Sequence, residues 1–220
     1  MESVSEVGVL DKAVAVLDAV AVEPSSLTGL CDATGLPRAT AHRLATALEV
    51  HGLLRRDGSG RYDLGSHLDS LGRAAAARFP LAERAAASMD LLRDRTGEGV
   101  QLFVREGAGR RCIRSLESPH GLRWILPEGT LLPLDVGSAG RVLVGELGPE
   151  GWVESVGERE AGVASVSAPI VDGAGDIIGA LSVSGPIDRL STAPGERFGA
   201  DVVEAARAIG ASSVGVSLPG

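Results

Sequence analysis

The chain has 220 residues, 44% of them hydrophobic and 23% charged, with a formal net charge of −8. This is the composition of a folded chain of one large or two small domains, and it excludes a disordered, collagen-like or repeat protein. No run approaches the roughly 20 apolar residues of a membrane span. The acidic start "MESVSEVGVLDKAV" lacks the basic n-region of a secretory signal, and Cys31 and Cys112 are too few and too far apart for a disulfide framework or a zinc site. A cytoplasmic protein is expected. The acidic balance argues against nucleic-acid binding over the whole surface and leaves room for a local basic face.

Leu10, Ala13, Val14, Leu17, Val20 and Ala21 recur at helical spacing, which predicts an amphipathic helix over about 9–21. Glu23-Pro24-Ser25 ends it. Ser25 or Ser26 then caps a short helix over Leu27 to Ala33, its side-chain oxygen taking an orphan N–H. Gly35 supplies a tight turn, and Pro37 suits the first position of a third helix that runs to His51 and stops at Gly52. On that helix Ala41, Leu44 and Leu48 share one face, while Ala39, His42, Arg43 and Thr46 share the opposite one. "LLRRDGSGRYDLG" reads as two short strands around a glycine-rich turn.

A short helix, a tight turn and a second helix with polar side chains outward is a helix-turn-helix, whose second helix enters the major groove. Arg38 and Arg43 suit guanine or phosphate, and Thr40, His42 and Thr46 are smaller polar readers. The hairpin behind makes a wing, with Arg55, Arg56 and Arg61 placed for the phosphate backbone or minor groove. Between Pro37 and Arg61, five arginines and two acids (Glu49, Asp57) give a local charge of +3 on a chain of −8. A winged helix that serves protein interaction stays open from the pattern alone. A metal role for His42 lacks any partner at ligand spacing.

Gly65 to Arg78 is Ala-rich and helical, with Leu68 and Leu71 as its larger apolar residues, and Pro80 breaks the chain. A helix over Leu81 to Thr96 follows. Short runs of β character come next: "VQLFVRE", "RRCIRSL", "LRWIL", "VASVSAPIVD" and "IIGALSVSG", with helical runs at Ala139 to Glu146 and Pro194 to Ile209. The expected fold class is α+β, the second half being built on a mostly antiparallel sheet. The domains are placed at 1–65 (winged helix-turn-helix), 66–79 (linker helix) and 80–220 (sensor).

No catalytic constellation emerges from the second half, which has one histidine (His120), one cysteine (Cys112) and no nucleophile elbow, so an enzyme is disfavoured and no cofactor is implied. A binding pocket is better supported. "DVGSAG" precedes a helix, so its N–H groups suit a carboxylate or other anion. Ser165 and Ser167 fall on one face of a strand, Ser182 and Ser184 on one face of another. Such hydroxyls seek a polar ligand, or else bond backbone or water, or face solvent.

"VLDKAVAVLDAV", "LTGLCDATGLPRATAHRLATALEVHGLL", the wing "RDGSGRYDLG", "GSAGRVLVGE" and the pair "SVSAPI" and "SVSGPI" together resemble the IclR family of bacterial transcription regulators over nearly the whole chain. The resemblance implies a winged helix that binds double-stranded operator DNA as a dimer and a GAF-like sensor that binds a small metabolite and builds tetramers, with homodimer or homotetramer as the expected state. It places the effector pocket at Ser138, Ala139, Ser165, Ser182 and Ser184. Ser155 stands where relatives often have aspartate, Ser165 where they often have cysteine, and Lys12 where they usually have arginine. "GWVESVGEREAGVASVSAPI" is most similar to actinobacterial regulators of leucine and related amino-acid biosynthesis; an amino acid or short organic acid is the implied effector. Relatives usually carry a longer helical segment where 144–152 joins its neighbours almost directly, which implies a pocket that is more open or closed by a neighbouring subunit.

Overall fold

A computed structural model describes residues 7–78 and 80–211, and the chain divides into two units at Phe79/Pro80. Residues 1–6, 79 and 212–220 of the domains expected from sequence lie outside the described residues.

The first unit runs α1 (Gly8–Val22), α2 (Leu27–Thr34), α3 (Arg38–Val50), β1 (Leu54–Arg56), β2 (Tyr62–Leu64) and α4 (Ser66–Arg78). Ser26 caps α2 by accepting from Gly29 N at 3.1 Å. Ser25 instead exchanges two 2.8 Å backbone hydrogen bonds with Tyr62, tying the start of α2 to the wing. Gly35 ends α2 at φ +68°, a left-handed conformation that favours glycine. Pro37 is the residue before α3 rather than its first, its carbonyl accepting from Thr40 and Ala41 N–H. Ala41, Ala45 and Leu48 bury the inner face of α3 against Val16, Val20, Leu30 and Leu36, and Leu54 and Tyr62 close the core. The buried stripe of α1 matches the expected one in part. Val20 is buried and Ala13 and Leu17 are half-buried on the core beside Val16, whereas Leu10, Val14 and Ala21 are exposed. Asp11 and Asp18 lie on the opposite side of the helix, and the face that packs is narrower than the apolar stripe.

The second unit runs α5 (Leu81–Thr96), β3 (Gly99–Glu106), β4 (Gly109–Leu116), β5 (Leu131–Pro133), α6 (Ser138–Leu143), β6 (Val153–Val156), β7 (Val163–Val171), β8 (Ile177–Pro186), α7 (Ile187–Leu190) and α8 (Pro194–Ala211). Six antiparallel strands lie in the order β5-β4-β3-β8-β7-β6. Alternation gives the sheet two different faces. Val100, Leu102, Ala164, Val166, Leu181 and Val183 form one core with α5 and α8, which contribute Met89, Leu92, Phe198, Val202 and Ile209. Phe103, Cys112 and Ala180 form another with Ala139, Val142 and Leu143 of α6 and its approach. "LRWIL" is not a strand. The outer edge of β4 is paired by 131–133, so residues 117–130 cross as a loop that sends Leu126 into the core. The short strands β5 and β6 were not anticipated.

Candidate nucleic-acid interface and effector cavity

Arg38, His42, Arg43 and Thr46 are exposed on α3, and Thr40 is half-buried. An open groove of about 780 Å³ separates the start of α3 from the wing and brings together Arg38, His42, Arg56 and Arg61, with Ser26 and Ser59 beside them. Thr40, Arg43, Thr46 and Arg55 do not line it. The wing arginines are held. Arg55 pairs with Asp63 across the hairpin. Arg56 donates to the Tyr62 hydroxyl at 2.7 Å, stands 4.4 Å over its ring, and meets Glu49 at 3.3 Å. Arg61 donates to the Pro24 carbonyl. The turn itself is organised by Asp57, whose Oδ1 accepts from Ser59 N, Ser59 Oγ and Arg61 N at 2.7–2.9 Å. The Ser59 hydroxyl, followed by the Arg61 N–H, holds that carboxyl below the ordinary aspartate range. This turn fixes where Arg61 leaves the hairpin.

In the second unit the strand register assembles the serines. Ser155, Ser165, Ser184 and Gly99 form one cross-strand row. Val153, Ser167, Ser182 and Gln101 form the next. Ser138, at the start of α6, sits over both rows, its Oγ 2.7 Å from Ser165 Oγ and 2.7 Å from Ser167 Oγ. Ser167 donates to Ser182 at 2.9 Å, and Ser184 to Gln101 Oε1 at 2.5 Å. The hydroxyls are therefore satisfied mainly by one another. Small side chains in both rows leave a hollow above the sheet, a cavity of about 40 Å³. Ser138, Ala139, Ser155, Ser165, Ser182 and Ser184 all line it.

Sequence reasoning missed other residues of the lining, among them Gln101, Phe103, Arg110, Trp124, Arg159 and Glu160. Alternation was the available signal for Arg110, which shares a face of β4 with the buried Cys112. Burial pushes the Cys112 thiol up to about 12, as befits a small core residue. The roof is a latch between two loops: Trp124 Nε1 donates to Glu160 Oε2 at 2.7 Å, and Arg159 lies 4.6 Å over the indole. No residue of 144–152 lines the cavity, and the more open or partner-closed pocket expected from that short segment is instead roofed by this chain's own Trp124, Arg159 and Glu160. The "DVGSAG" amides also differ from expectation. Gly137 N–H already donates to Glu158 Oε2 at 3.1 Å, and Arg141 holds that carboxylate at 3.0 Å, so the chain's own acid takes a place proposed for a ligand.

Comparison with known proteins completes the description. The profile of the IclR helix-turn-helix domain matches residues 9–58, and that of the C-terminal domain of the bacterial transcriptional regulator IclR matches 73–150 and 146–211. The HTH-type transcriptional regulator KipR of Bacillus subtilis is 31% identical over 60% of this chain and 54% of its own length. The glycerol operon regulatory protein of Streptomyces griseus is 28% identical over 74% of this chain and 78% of its own. An IclR homolog from Microbacterium hydrocarbonoxydans, solved in complex with 4-hydroxybenzoate, shares the fold with a TM-score of 0.77 at 22% identity, covering 94% of this chain and 100% of that one.

Proposed function

The chain belongs to the IclR family of bacterial transcription regulators, and from that premise we propose that α3 and the wing read an operator while the serine-lined cavity takes a small acidic metabolite that alters operator binding. The protein is a DNA-binding regulator with an effector-binding C-terminal domain. The observation that carries the assignment of residues is the groove flanked by α3 and the wing, where Arg38, His42, Arg56 and Arg61 converge. Arg43 and Thr46 extend the reading face along α3, Thr40 supports it, and Arg55 extends the phosphate contacts along the wing. A groove of arginines between a helix and a hairpin suits a duplex better than a protein partner, because it combines groove and phosphate contacts.

The wing arginines exchange internal partners for phosphates. Each exposed pair they give up is worth only about 0–1 kcal/mol, so exchange is inexpensive. Ser138, Ala139, Ser155, Ser165, Ser182 and Ser184 line the effector site. The finer kinship with regulators of amino-acid biosynthesis has no support among the relatives named above, and the effector is assigned by cavity chemistry instead. Self-association is expected: Val9 (61%), Leu10 (57%) and Val14 (45%) leave an apolar stretch of α1 exposed, and a dimer would place two reading helices on one operator. No described helix is long and apolar enough to cross a membrane; operator binding goes with a cytoplasmic location.

The test is selection of genomic fragments by the purified protein, followed by anisotropy titration of the enriched sequence at several salt concentrations. A shared sequence and a steep salt slope are expected. Equal affinity for unrelated duplexes would overturn the operator reading.

A further inference from the structure

Two charged side chains are buried among the described residues, and the fold treats them differently. Glu98, 3% exposed, is met by both Arg189 Nε at 2.6 Å and Nη2 at 2.8 Å. Arg110, also 3% exposed, meets no carboxylate at ion-pair distance among the described residues. Its Nη1 donates to the backbone carbonyls of Pro133 and Val136, the latter at 2.7 Å. Its Nε is shut off from solvent without a hydrogen-bond partner. Phe103 lies 5.5 Å from the guanidinium. The acid that acts on it electrostatically, Asp135, is exposed to solvent and forms no ion pair with it. Burial pushes Arg110 down to about 10, which still leaves it charged at neutral pH.

A desolvated charge without a counter-charge is costly to keep, and this one lines the effector cavity. The chain also makes room for it. A Cβ on Gly140 would fall 2.6 Å from Nη1, and one on Gly137 would fall 3.3 Å from Nη2. The remaining charges of the lining do not neutralise Arg110. Glu160 is engaged by the Trp124 indole and stands 3.6 Å from Arg159. The cavity thus carries two arginines against one occupied carboxylate.

We propose that Arg110 is the counter-charge for the effector's carboxylate, and that the cavity takes a small organic acid without an ammonium group in preference to an amino acid. The proposal rests on the effector-cavity reading above. With Nη1 given to carbonyls and Nε shut off, Nη2 has no hydrogen-bond partner among the described residues and is the charged donor left for a carboxylate, and the serine rows offer hydroxyls to the rest of a short molecule. An ammonium group would meet a positive site whose one carboxylate is already engaged. A volume of about 40 Å³ has room for a few water molecules, so a ligand of two to three carbons is the fitting probe.

Two isosteric pairs test this on the full chain: glycolate against glycine, and L-lactate against L-alanine, each differing in hydroxyl for ammonium. Isothermal titration calorimetry should show saturable binding of at least one hydroxy acid, preferred about tenfold or more over its amino counterpart. Arg110→Gln should weaken that binding about thirtyfold or more. Should Arg110→Gln fail to fold, Arg110→Lys keeps the charge but cannot hold the carbonyls with one nitrogen and meet the ligand with another, and should bind about tenfold more weakly than the parent. Absence of saturable hydroxy-acid binding, equal binding of the amino acids, or a folded Arg110 variant as tight as the parent would overturn the proposal. Loss of operator binding by the parent chain itself would sink the regulator reading and leave the acid titrations to decide Arg110 independently.

Discussion

The winged unit and the sheet unit both offer arginine to a ligand, under opposite conditions. In the wing, Arg55 and Arg56 keep 59% and 43% of their side-chain surface exposed, and each already holds an acid, Asp63 or Glu49. In the cavity, Arg110 is 3% exposed and holds only carbonyls. Water screens the wing charges and makes their internal pairs cheap to exchange, which suits a surface that must release DNA. Desolvation makes the cavity charge expensive to leave unmatched, which suits the small anion proposed for it. Removal of a surface arginine should therefore give graded, salt-dependent effects. Disturbance of the cavity should give effects tied to one ligand or to local packing.

The largest expected effect on the DNA side is Arg43→Ala. Arg43 stands exposed on α3 and makes no hydrogen bond or ion pair among the described residues, so nothing internal competes for it. Specific operator affinity should fall by about 1–3 kcal/mol with relaxed sequence preference, read by anisotropy on operator and scrambled duplexes. Next is Ser167→Ala in the sheet. Ser167 is fully buried and links Ser138 to Ser182, so its loss leaves two buried hydroxyls short of a partner. Thermal or urea unfolding should report about 1–2 kcal/mol of destabilisation, with operator affinity at saturating stability unchanged. An effect on DNA alone would break the separation of the two sites.

What was legible in the sequence follows the same division between local and distant causes. The helix-turn-helix is written in neighbours: Ser26 caps, Gly35 turns at positive φ, and Pro37 precedes the first turn of α3. The serine alternation is also local and points to Ser165, Ser182 and Ser184, whereas Ser138, Ala139 and Ser155 are implied by the family resemblance. Arg110 was not legible in this way: alternation puts it on one face with Cys112, but that this face meets the 133–136 turn and the cavity is a long-range fact. The "GSAG" amides misled for a related reason: Glu158, more than twenty residues on, returns to Gly137. "LRWIL" has strand composition, but the edge of β4 nearest in sequence pairs with 131–133 instead. On α1 the apolar stripe is wider than the face that packs, so Leu10, Val14 and Ala21 fit the helical pattern and still lie exposed.

Arg55→Ala should act more weakly than Arg43→Ala, and in a different way. Arg55 is a backbone-contact candidate, so affinity should fall evenly across sequences and the salt slope should drop by about 1. Asp63→Ala is the informative counterpart. By freeing Arg55 from its pair it should raise affinity slightly, since phosphate no longer has to displace a carboxylate. A change confined to the operator would instead assign Arg55 to base reading.

The smallest effect belongs to Asp57, which touches DNA only through the wing's shape. Its carboxyl is held below the ordinary aspartate range by the Ser59 hydroxyl and the Arg61 N–H. A depressed folded value means that the carboxylate's contribution is fully present above the unfolded aspartate value and is lost as pH falls through the lowered folded one. Asp57→Ala should therefore loosen the turn at neutral pH, where the parent wing is ordered. Amide exchange of Ser59 and Arg61 should speed up, with a loss of operator affinity smaller than that of Arg55→Ala. Below the parent's folded value the exchange rates, corrected for intrinsic chemistry, should converge. If the two proteins differ equally at both ends of that range, the turn is held by something other than the ionised carboxylate, and the exposed half of the comparison would need a different physical basis.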